Sequence, residues 1–325
     1  MVKKQKALIT GGCGFVGRHF TNDLIRRGYE VTVVDDLSTG LSLEKWPVFL
    51  RPKGEFRFLK ADAREYFKES SESFDLILHL AAVVGGRMTI EGDPLKVATD
   101  LAIDAMFFNW LPRLKPQPKK VLYFSSSAAY PINLQTESKN QRLSEELIDF
   151  NKDIGVPDMT YGWSKLTGEF LAKYSVENYG IDVVTYRPFS GYGEDQDMTY
   201  PFPSIIKRVV NKEDPIVVWG SGKQTRDFIH IDDCVEAVMV TMDKLSAGEA
   251  INLTSGFGTS FFDLAKIAMK KLGHEVGLRN DLTKPEGVFA RVGDNTKLSK
   301  FFTPRISLEE GVEKEIKYLS EKSKA

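Results

Sequence analysis

Short apolar runs rich in β-branched residues recur along the chain, and amphipathic segments separate them. The runs lie near residues 6–10, 31–35, 56–59, 75–80, 120–125 and 182–187. Continuous apolar runs of this length are typical of strands that are buried on both faces, and amphipathic segments are typical of helices that cover a sheet. The pattern therefore predicts an α/β fold with a doubly wound parallel sheet.

A glycine-rich turn follows the first apolar run. Gly12, Gly14 and Gly17 fit the spacing G-x-G-x-x-G, while Gly11, Gly14 and Gly17 fit the looser G-x-x-G-x-x-G. Between a strand and a helix, such a turn lets the backbone approach a pyrophosphate and directs helix N–H groups at it. The alternative interpretation is a glycine turn without a ligand.

Two acidic residues favour the first interpretation. Asp35 and Asp36 close the second apolar run, eighteen residues after Gly17. A carboxylate at this point of the unit accepts hydrogen bonds from the ribose hydroxyls of an adenosine. Because it also repels a 2′-phosphate, the sequence predicts NAD rather than NADP as the cofactor.

The sequence pattern changes after residue 188. Loop-like stretches lie at 191–193 and 200–203, and the regular alternation of strands and helices lapses. We predict a dinucleotide-binding domain of residues 1–188 and about 227–252, and a smaller mixed α/β substrate region of residues about 189–226 and 253–325. No repeat or flexible linker separates them, so we expect the two parts to be interleaved.

A tyrosine and a lysine supply candidate chemistry. Tyr161 and Lys165 are four residues apart, so on a helix they share a face. A lysine ammonium near a phenol favours the phenolate, which lowers the pKa and makes the tyrosine usable as an acid or base. Such a pair also arises by chance on exposed helices. The interpretation of the pair as catalytic is supported by Ser125–Ser127, which end a buried strand at the sheet edge where ligands bind. Serines at strand ends, however, are often turn formers.

Further candidates follow the third and fourth strands. Leu80, Ala81 and Ala82 end a buried strand in mostly small residues, where a ligand can approach the backbone. His79, inside that strand, is interpreted as a packed core residue. Asp62 follows the third strand and is interpreted either as an adenine contact or as an ordinary exposed turn residue.

The composition favours a soluble enzyme. The chain has 44 basic and 45 acidic residues and no basic block with interleaved aromatics, so we expect no nucleic-acid partner. Cys13, Cys234 and four histidines without ligand spacing predict neither a disulfide framework nor a metal site. No apolar run approaches the ~20 residues that span a bilayer, so we expect no membrane association and a cytoplasmic location.

In this order the residues resemble the extended short-chain dehydrogenase/reductases that act on nucleotide sugars. The resemblance runs from the glycine turn through Asp35 and the serine run to Tyr161, and continues at Arg187–Pro188. In the last third, Trp219–Phe228 resembles the segment with which this family binds a diphosphate through an arginine. The stretch Lys284–Gly287, with the Arg and Asp that follow at 291 and 294, is similar to a nucleotide-contacting segment of GDP-sugar members.

The resemblance implies a role for each matched residue. The residues implied to bind NAD are Gly11, Gly14, Phe15, Val16, Gly17, Asp35, Asp36, Leu37, Asp62, Ala63, Leu80, Ala81, Ala82, Ser125, Tyr161, Lys165 and Pro188. The residues implied to bind a nucleotide-diphosphate sugar are Gly86, Arg87, Ser127, Ser190, Arg226 and Arg291. Arg226 would hold the diphosphate, because a guanidinium fork matches two phosphate oxygens. The alternative for Arg226 is a surface ion pair.

Departures from the family pattern narrow the chemistry. GDP-mannose 3,5-epimerase and GDP-fucose synthase, which the chain resembles at Gly85–Arg87 and in its last third, carry a catalytic cysteine where this chain has Ala128. Their partner acid or base falls near Tyr200 or Pro201. The 4,6-dehydratases and UDP-glucuronate decarboxylases carry a glutamate at the position of Ala128. A methyl group cannot transfer a proton, so 3,5-epimerisation, 4,6-dehydration and decarboxylation are all disfavoured. Ser190 replaces a substrate-contacting asparagine, which leaves that contact open.

The remaining reaction that the resemblance implies is NAD-dependent C4 epimerisation of a nucleotide sugar through a transient 4-keto intermediate, as in the similar UDP-sugar 4-epimerases. Tyr161 would remove the O4 proton, Ser126 would bond to that oxygen with Ser127 as the alternative, and Lys165 would hold the nicotinamide ribose and keep Tyr161 ionisable. The alternatives are a 4-ketoreductase or dehydrogenase, a 3,5-epimerase and a non-catalytic NAD-binding regulator. The NAD preference favours an epimerase, because its cofactor is recycled in place.

The family resemblance also implies a homodimer. The helix that carries Tyr161 and a helix near 94–110 would pack against their twofold mates as a four-helix interface. Phe107, Phe108 and Leu171 are candidate contacts. For each of them, packing inside the core of its own chain is the alternative.

Overall fold

The computed structural model describes residues 4–54 and 56–322. The strands in chain order are β1 (Lys6–Thr10), β2 (Glu30–Asp35), β3 (Arg57–Lys60), β4 (Leu76–His79), β5 (Lys120–Phe124), β6 (Val183–Pro188), β7 (Ser190–Tyr192), β8 (Ile216–Trp219), β9 (Thr225–His230), β10 (Ala250–Leu253), β11 (Gly258–Ser260), β12 (Leu278–Asp281) and β13 (Ala290–Arg291). The α-helices are α1 (Phe15–Arg26), α2 (Ala63–Glu69), α3 (Arg87–Gly92), α4 (Pro94–Val97), α5 (Thr99–Trp110), α6 (Met159–Tyr179), α7 (Pro201–Val210), α8 (Ile231–Thr241), α9 (Phe261–Leu272), α10 (Thr296–Ser299) and α11 (Leu308–Lys322). Short 3-10 turns lie at Leu43–Lys45, Val48–Leu50, Leu111–Arg113, Ser127–Ala129, Ile132–Leu134 and Glu145–Leu147.

Seven parallel strands form the central sheet, in the order β10-β6-β5-β4-β1-β2-β3. The register pairs Thr10 with Val34 on one side and with His79 on the other, so β1, β2 and β4 end at one edge. The predicted α/β fold with a doubly wound parallel sheet is therefore confirmed. The six predicted strands are present with small shifts of their ends, and β10 is a seventh strand that was not predicted.

Helices bury both faces of the sheet. On one face, α1 and α8 pack against the strands through residues such as Phe20 and Val238. On the other face, α2, α5 and α6 contribute Phe67, Phe107 and Ala172 to a second apolar cluster. Burial of each large apolar side chain stabilises the fold by about 1.5–3 kcal/mol. Within the described ranges, no helix is both long and apolar enough to cross a bilayer.

Phe107 and Phe108 lie in this second core, which corrects their prediction as contacts with a second copy. Phe107 is fully buried, and its ring stacks on His79 with 3.8 Å between centroids. Phe108 packs against Tyr123, and the half-buried Leu171 packs against the same cluster. These apolar side chains pack within their own chain. His79 is buried among these rings, as interpreted from the sequence.

A smaller set of elements lies beyond β6. β9 pairs with β7, β11 and β13, and β8 pairs in parallel with β12. α7, α9 and α11 enclose a separate apolar core that includes Phe202, Ile206 and Leu264. Because this core is separate from the two sheet clusters, we propose the division into two regions that the sequence predicts. The ends of those regions at residues 1–3 and 323–325 lie outside the described residues.

The two cysteines are buried free thiols. Burial, followed by the nearby charge of Asp35, raises the pKa of Cys13 to about 12. Burial and the charge of Asp233 also raise the pKa of Cys234. Both thiols therefore stay protonated at neutral pH.

A buried ion pair ties α6 to β6. Arg187 donates from Nε and Nη2 to the carboxylate of Glu169 at 3.0 and 2.6 Å, and both side chains are 3 % exposed. Ser125 donates to the same carboxylate, and Arg187 also donates to the Tyr130 hydroxyl at 3.1 Å. The pair thus joins the end of β5, the middle of α6 and the end of β6.

Replacement of Glu169 by Gln should lower the free energy of unfolding by about 3–5 kcal/mol, because the buried Arg187 loses its counter-charge. Urea denaturation followed by circular dichroism measures the change. The control on the same helix is Lys173→Gln, which breaks an exposed pair with Glu177. That change should cost less than about 1 kcal/mol, and equal effects of the two substitutions would contradict the argument.

Candidate functional site

The glycine turn joins β1 to α1 at the carboxyl edge of the sheet. A Cβ on Gly17 would lie 2.3 Å from the carbonyl oxygen of Gly11, and a Cβ on Gly11 would lie 2.7 Å from the Ala81 nitrogen. The backbones therefore approach too closely for side chains. α1 begins at Phe15 and continues through Val16, and the first N–H groups of a helix lack partners within it. The turn forms a backbone-lined cradle that fits a pyrophosphate.

Asp35 lies beside this cradle and fits a ribose. Its Oδ2 accepts the Cys13 N–H at 2.9 Å, and its Oδ1 accepts the Leu37 N–H at 2.8 Å. Burial raises the pKa of Asp35, and these two N–H groups oppose that rise. Each oxygen keeps a lone pair that could accept a ribose hydroxyl. Asp36 is exposed, and its carboxylate accepts the Ser38 N–H.

Two further predicted cofactor segments follow β4 and β3, which lie on either side of β1 and β2 in the sheet. Leu80–Ala82 follow β4, and the Leu80 N–H donates to the Thr10 carbonyl at 3.0 Å. Asp62 caps α2, whose first residue is Ala63, and pairs with Arg64 at 2.6 Å. The carboxylate of Asp62 is thus engaged within the chain, and its adenine contact stays a prediction.

Ser125 and Pro188 lie apart from the cradle. The Ser125 hydroxyl donates to Glu169, so its side chain serves the buried network between α6 and β6. Pro188 ends β6, the strand next to β5. A ligand at this edge could reach Ser125 through its backbone only.

The predicted catalytic residues meet where α6 crosses the end of β5. The Lys165 Nζ lies 6.0 Å from the centroid of the Tyr161 ring and 5.5 Å from that of the Tyr123 ring. The Ser126 hydroxyl accepts the Ala128 N–H at 3.1 Å, and it lies near enough to the Tyr161 phenol to lower the pKa of that phenol. Ser127 is buried and begins the next 3-10 turn. Of the two serines, Ser126 is therefore the one that we expect to act with the phenol.

Burial raises the pKa of Tyr161, which is the opposite of the direction expected from the lysine alone. Lys165 and the nearby Ser126 hydroxyl oppose this rise, and the charge of Asp100 adds to it. Burial lowers the pKa of Lys165, but Asp104, Tyr161 and Asp100 outweigh that effect and raise it. Lys165 therefore stays charged, and its ammonium is the largest influence that favours the phenolate.

The two carboxylates near Lys165 come from α5, and the sequence did not predict them. Asp104 lies 3.1 Å from His79 and accepts the Tyr123 hydroxyl at 2.5 Å. Asp100 accepts the Val83 N–H at 2.5 Å through Oδ1. Its Oδ2 has no hydrogen-bond partner in the described part of the chain, and burial raises its pKa to about 6.

Two of the three arginines predicted to bind substrate pair with Asp158, and the third lies close to them. Arg87 Nη1 and Arg291 Nη2 lie 2.8 and 2.7 Å from Asp158 Oδ2. Arg226 donates to backbone carbonyls, including that of Val288 at 2.9 Å. Residues from the end of the sheet and from the smaller region therefore meet at one point.

Basic and acidic side chains alternate in this cluster. Burial, then the charges of Arg291 and Arg87, lowers the pKa of Arg226 to about 9, so it still carries its proton at neutral pH. Asp158 lies between two of the arginines, and Glu91 pairs with Arg87. The charge of Glu286 also acts on Arg226, so three cations face three carboxylates. The guanidinium N–H groups that these carboxylates leave free could bind a diphosphate.

Gly86 and Ser190, the other residues predicted to bind substrate, lie on separate elements, as does Tyr200. Gly86 packs under the segment before α7, where a Cβ would lie 2.1 Å from the Thr199 carbonyl oxygen. Ser190 begins β7 and pairs with β9. Burial and the neighbouring Tyr161 raise the pKa of Tyr200. Tyr200 therefore lies near Tyr161 as a neutral phenol.

Asp158 is the principal site residue that the sequence analysis missed. It is the N-cap residue of α6, and its two partners lie 71 and 133 residues away in the chain. The signal available was a residue of capping type three positions before Tyr161. Nothing local indicated its arginine partners.

A profile of the NAD dependent epimerase/dehydratase family matches residues 7–254. The chain belongs to this family. Its cofactor is therefore NAD, as predicted, and the glycine cradle with Asp35 fits that group. The enzyme is of the extended short-chain dehydrogenase/reductase type that the resemblance indicated.

Relatives match over nearly the whole chain. A UDP-N-acetyl-alpha-D-glucosaminuronate decarboxylase of Bacillus cytotoxicus is 28% identical, with 98% of each chain covered. A putative UDP-glucose 4-epimerase of Methanocaldococcus jannaschii is 29% identical over 96% of this chain and 97% of its own. Among solved structures, the UDP-glucuronic acid 4-epimerase of Bacillus cereus is 25% identical with a TM-score of 0.80, covering 97% of this chain and 99% of its own.

The cofactor preference can be tested at Asp35. NAD should bind at least about tenfold tighter than NADP, which corresponds to about 1.4 kcal/mol. Asp35→Ala should narrow this gap mainly by weakening NAD. Asp35→Asn keeps the shape but removes the negative charge, so it should strengthen NADP. Calorimetric titration of the three proteins with both cofactors gives the six dissociation constants, and equal affinities of the unaltered enzyme for both cofactors would contradict the argument.

Proposed function

We propose that this enzyme epimerises a nucleotide-diphosphate sugar at C4 through a transient 4-keto intermediate. The observation that carries the proposal is the meeting of two groups at the start of α6. Asp158, which bonds to Arg87 and Arg291, lies three residues before Tyr161 on the same helix. A diphosphate at the arginines would leave its attached sugar beside the phenol.

Three residues would act on the proton of the C4 hydroxyl, each with a different role. Tyr161 takes the proton of the C4 hydroxyl and later returns it, while Ser126 holds the same oxygen. Lys165 stays charged and favours the phenolate. NAD, held at the glycine cradle and Asp35, would supply a reversible hydride acceptor for C4. No net proton or electron leaves the site.

The residue at position 128 favours C4 epimerisation over reactions that need proton transfer at other sugar carbons. Its side chain is a methyl group, 4 % exposed, inside the turn Ser127–Ala129. Proton transfer at other sugar carbons needs an acid or base, and among the described residues no cation beside Tyr200 favours its phenolate. Tyr161 is the phenol whose phenolate is favoured by an ammonium, that of Lys165, which suits chemistry at C4.

UDP-sugars are the first substrates to test. The Bacillus cytotoxicus and Methanocaldococcus jannaschii relatives carry UDP-sugar names, and the Bacillus cereus neighbour is a complex with UDP-glucuronic acid and NAD. A 4-ketoreductase remains the second candidate, since a dTDP-4-dehydro-6-deoxy-D-allose reductase is 27% identical over 91% of the chain. Net consumption of a reduced cofactor distinguishes that reaction from epimerisation.

Tyr161→Phe should keep NAD and nucleotide-sugar binding but slow turnover by roughly 10²–10⁴-fold, because it removes a positioned proton-transfer group. Arg226→Ala should do the converse and mainly raise KM, because it removes charge-assisted phosphate contacts. Initial rates with UDP-sugars and binding titrations measure both effects.

Isotope labels separate C4 epimerisation from the alternatives. A substrate deuterated at C4 should give product that retains the label at C4, with no deuterium taken from heavy water at C3 or C5. Mass spectrometry and NMR of the product read both positions. Solvent label at C3 or C5 would establish a 3,5-epimerase and overturn the proposal.

We further propose a homodimer through the outer faces of α5 and α6. Trp163, Phe170 and Tyr174 are exposed by 48%, 39% and 42%, and they follow a spacing of seven and four along α6. Leu101 on α5 is also exposed, by 40%. This stripe replaces Phe107 and Phe108 as the proposed contact, because a large exposed apolar face on one helix suits a second copy.

Glutamate at both Trp163 and Tyr174 should convert the dimer to monomers at micromolar concentration, because charges would be buried unpaired at the interface. Sedimentation equilibrium measures the mass. Tyr179→Glu is the control, since Tyr179 is exposed by 56% but lies off the stripe near the end of α6. A wild-type chain that sediments as a monomer would contradict the proposal.

A further inference from the structure

The start of α6 is held in an unfavourable backbone conformation. Met159, its first residue, has a φ of +57°, in the left-handed region that residues with side chains rarely adopt. The preceding Asp158 donates its N–H to the Ala128 carbonyl at 2.9 Å, and its own carbonyl accepts the Gly162 N–H at 2.8 Å. Such conformations persist only where surrounding contacts hold them. Tyr161 lies between these contacts.

The side chain of Asp158 supplies contacts from distant parts of the chain. Arg87 Nη1 donates to both carboxylate oxygens at 3.0 and 2.8 Å, and Arg291 Nη2 donates to Oδ2 at 2.7 Å. Burial raises the pKa of Asp158, but Arg291 and Arg87 outweigh it and hold the pKa below its usual value. The carboxylate is therefore ionised, and two cations fix its position.

Both arginines keep donors for a second anion. A guanidinium has five N–H donors. Arg87 directs Nη1 to Asp158 and Nε to Glu91, while Arg291 directs Nη2 to Asp158 and Nε to Gln135. The remaining N–H groups can bind phosphate oxygens while Asp158 stays bonded. The negative charge of Asp158, however, repels such an anion.

We propose that Asp158 is a positioning residue that couples occupancy of the arginine site to the placement of Tyr161. A bound diphosphate fixes the two guanidinium groups, and they in turn fix the start of α6. The same carboxylate weakens binding of the diphosphate by like-charge repulsion. The inference rests on the proposed function insofar as a nucleotide diphosphate is the ligand of the arginines.

Asp158→Asn tests the coupling, because it keeps the size of the side chain and removes its charge. UDP should bind the NAD-loaded variant about threefold tighter or more, since the repulsion is gone. Turnover of the UDP-sugar should fall by about tenfold or more, since Tyr161 is less firmly placed. Opposite changes in affinity and kcat separate positioning from a structural defect, which would weaken both together.

Hydrogen exchange gives a readout that does not depend on turnover. In the unaltered enzyme, UDP should protect the Gly162 amide, which bonds to the Asp158 carbonyl. In Asp158→Asn this protection should be lost. Asp153→Asn is the matched control, because the Asp153 carboxylate accepts the N–H of Gly155 in an exposed loop and pairs with no arginine among the described residues. It should match the unaltered enzyme in every measurement.

The outcomes distinguish the two proposals. Protection of Gly162 by UDP without turnover of any UDP-sugar supports the coupling and removes the proposed reaction. Turnover in the unaltered enzyme combined with parallel losses of UDP affinity and kcat in Asp158→Asn removes the coupling and leaves the reaction. UDP binding that leaves exchange at Gly162 unchanged also overturns the coupling, and absence of binding by UDP, GDP, CDP and dTDP alike overturns both.

Discussion

Close contact between α6 and the end of β5 sets the geometry on which the site depends. A Cβ on Gly162 would lie 2.4 Å from the Ala128 carbonyl oxygen, and one on Gly168 would lie 1.8 Å from the Tyr123 hydroxyl. The helix therefore approaches the strand more closely than any side chain at those positions would allow. On the same helix, Tyr161, Lys165 and Glu169 follow one another at intervals of four. One helical face thus carries the phenol, the ammonium that acts on it, and the carboxylate that anchors β6.

That arrangement makes catalysis and stability share one packing contact. Glu169 holds Arg187 in the interior, two turns along the helix from Tyr161. A shift of α6 along its axis would break the buried pair and misplace the phenol together. Because breaking a buried pair is far more costly than losing an exposed one, the pair resists such a shift. The rigidity of the site follows from the interior of the sheet domain.

Much of the fold could be predicted because its signals are local. The glycine turn, the acid after β2 and the apolar runs each fit within about a dozen residues of sequence. β10 was missed because it is four residues long, has Asn252 in its middle and becomes a strand only by pairing with β6. Phe107 and Phe108 were assigned to an interface because an apolar run does not say whether its own core or a second chain covers it.

The site could be predicted where one motif carries the chemistry and not where distant residues combine. Tyr161, Lys165 and Ser126 were found from spacing and strand position, but Asp158 was not, since its partners join it only in the folded chain. The direction of the Tyr161 pKa was also misjudged. A neighbouring lysine is visible in the sequence, whereas the loss of water around a buried phenol is not.

The two cysteines have a consequence for the chemistry that the enzyme can tolerate. The thiolate is the form that oxidants and alkylating reagents attack, and both thiols are buried and held protonated. Cys13 lies within the cofactor cradle itself, yet it presents no nucleophile there. The two thiols of the folded enzyme are therefore shielded from such reagents. Its activity should not follow the glutathione balance of its surroundings, and a cysteine introduced on its surface would react alone.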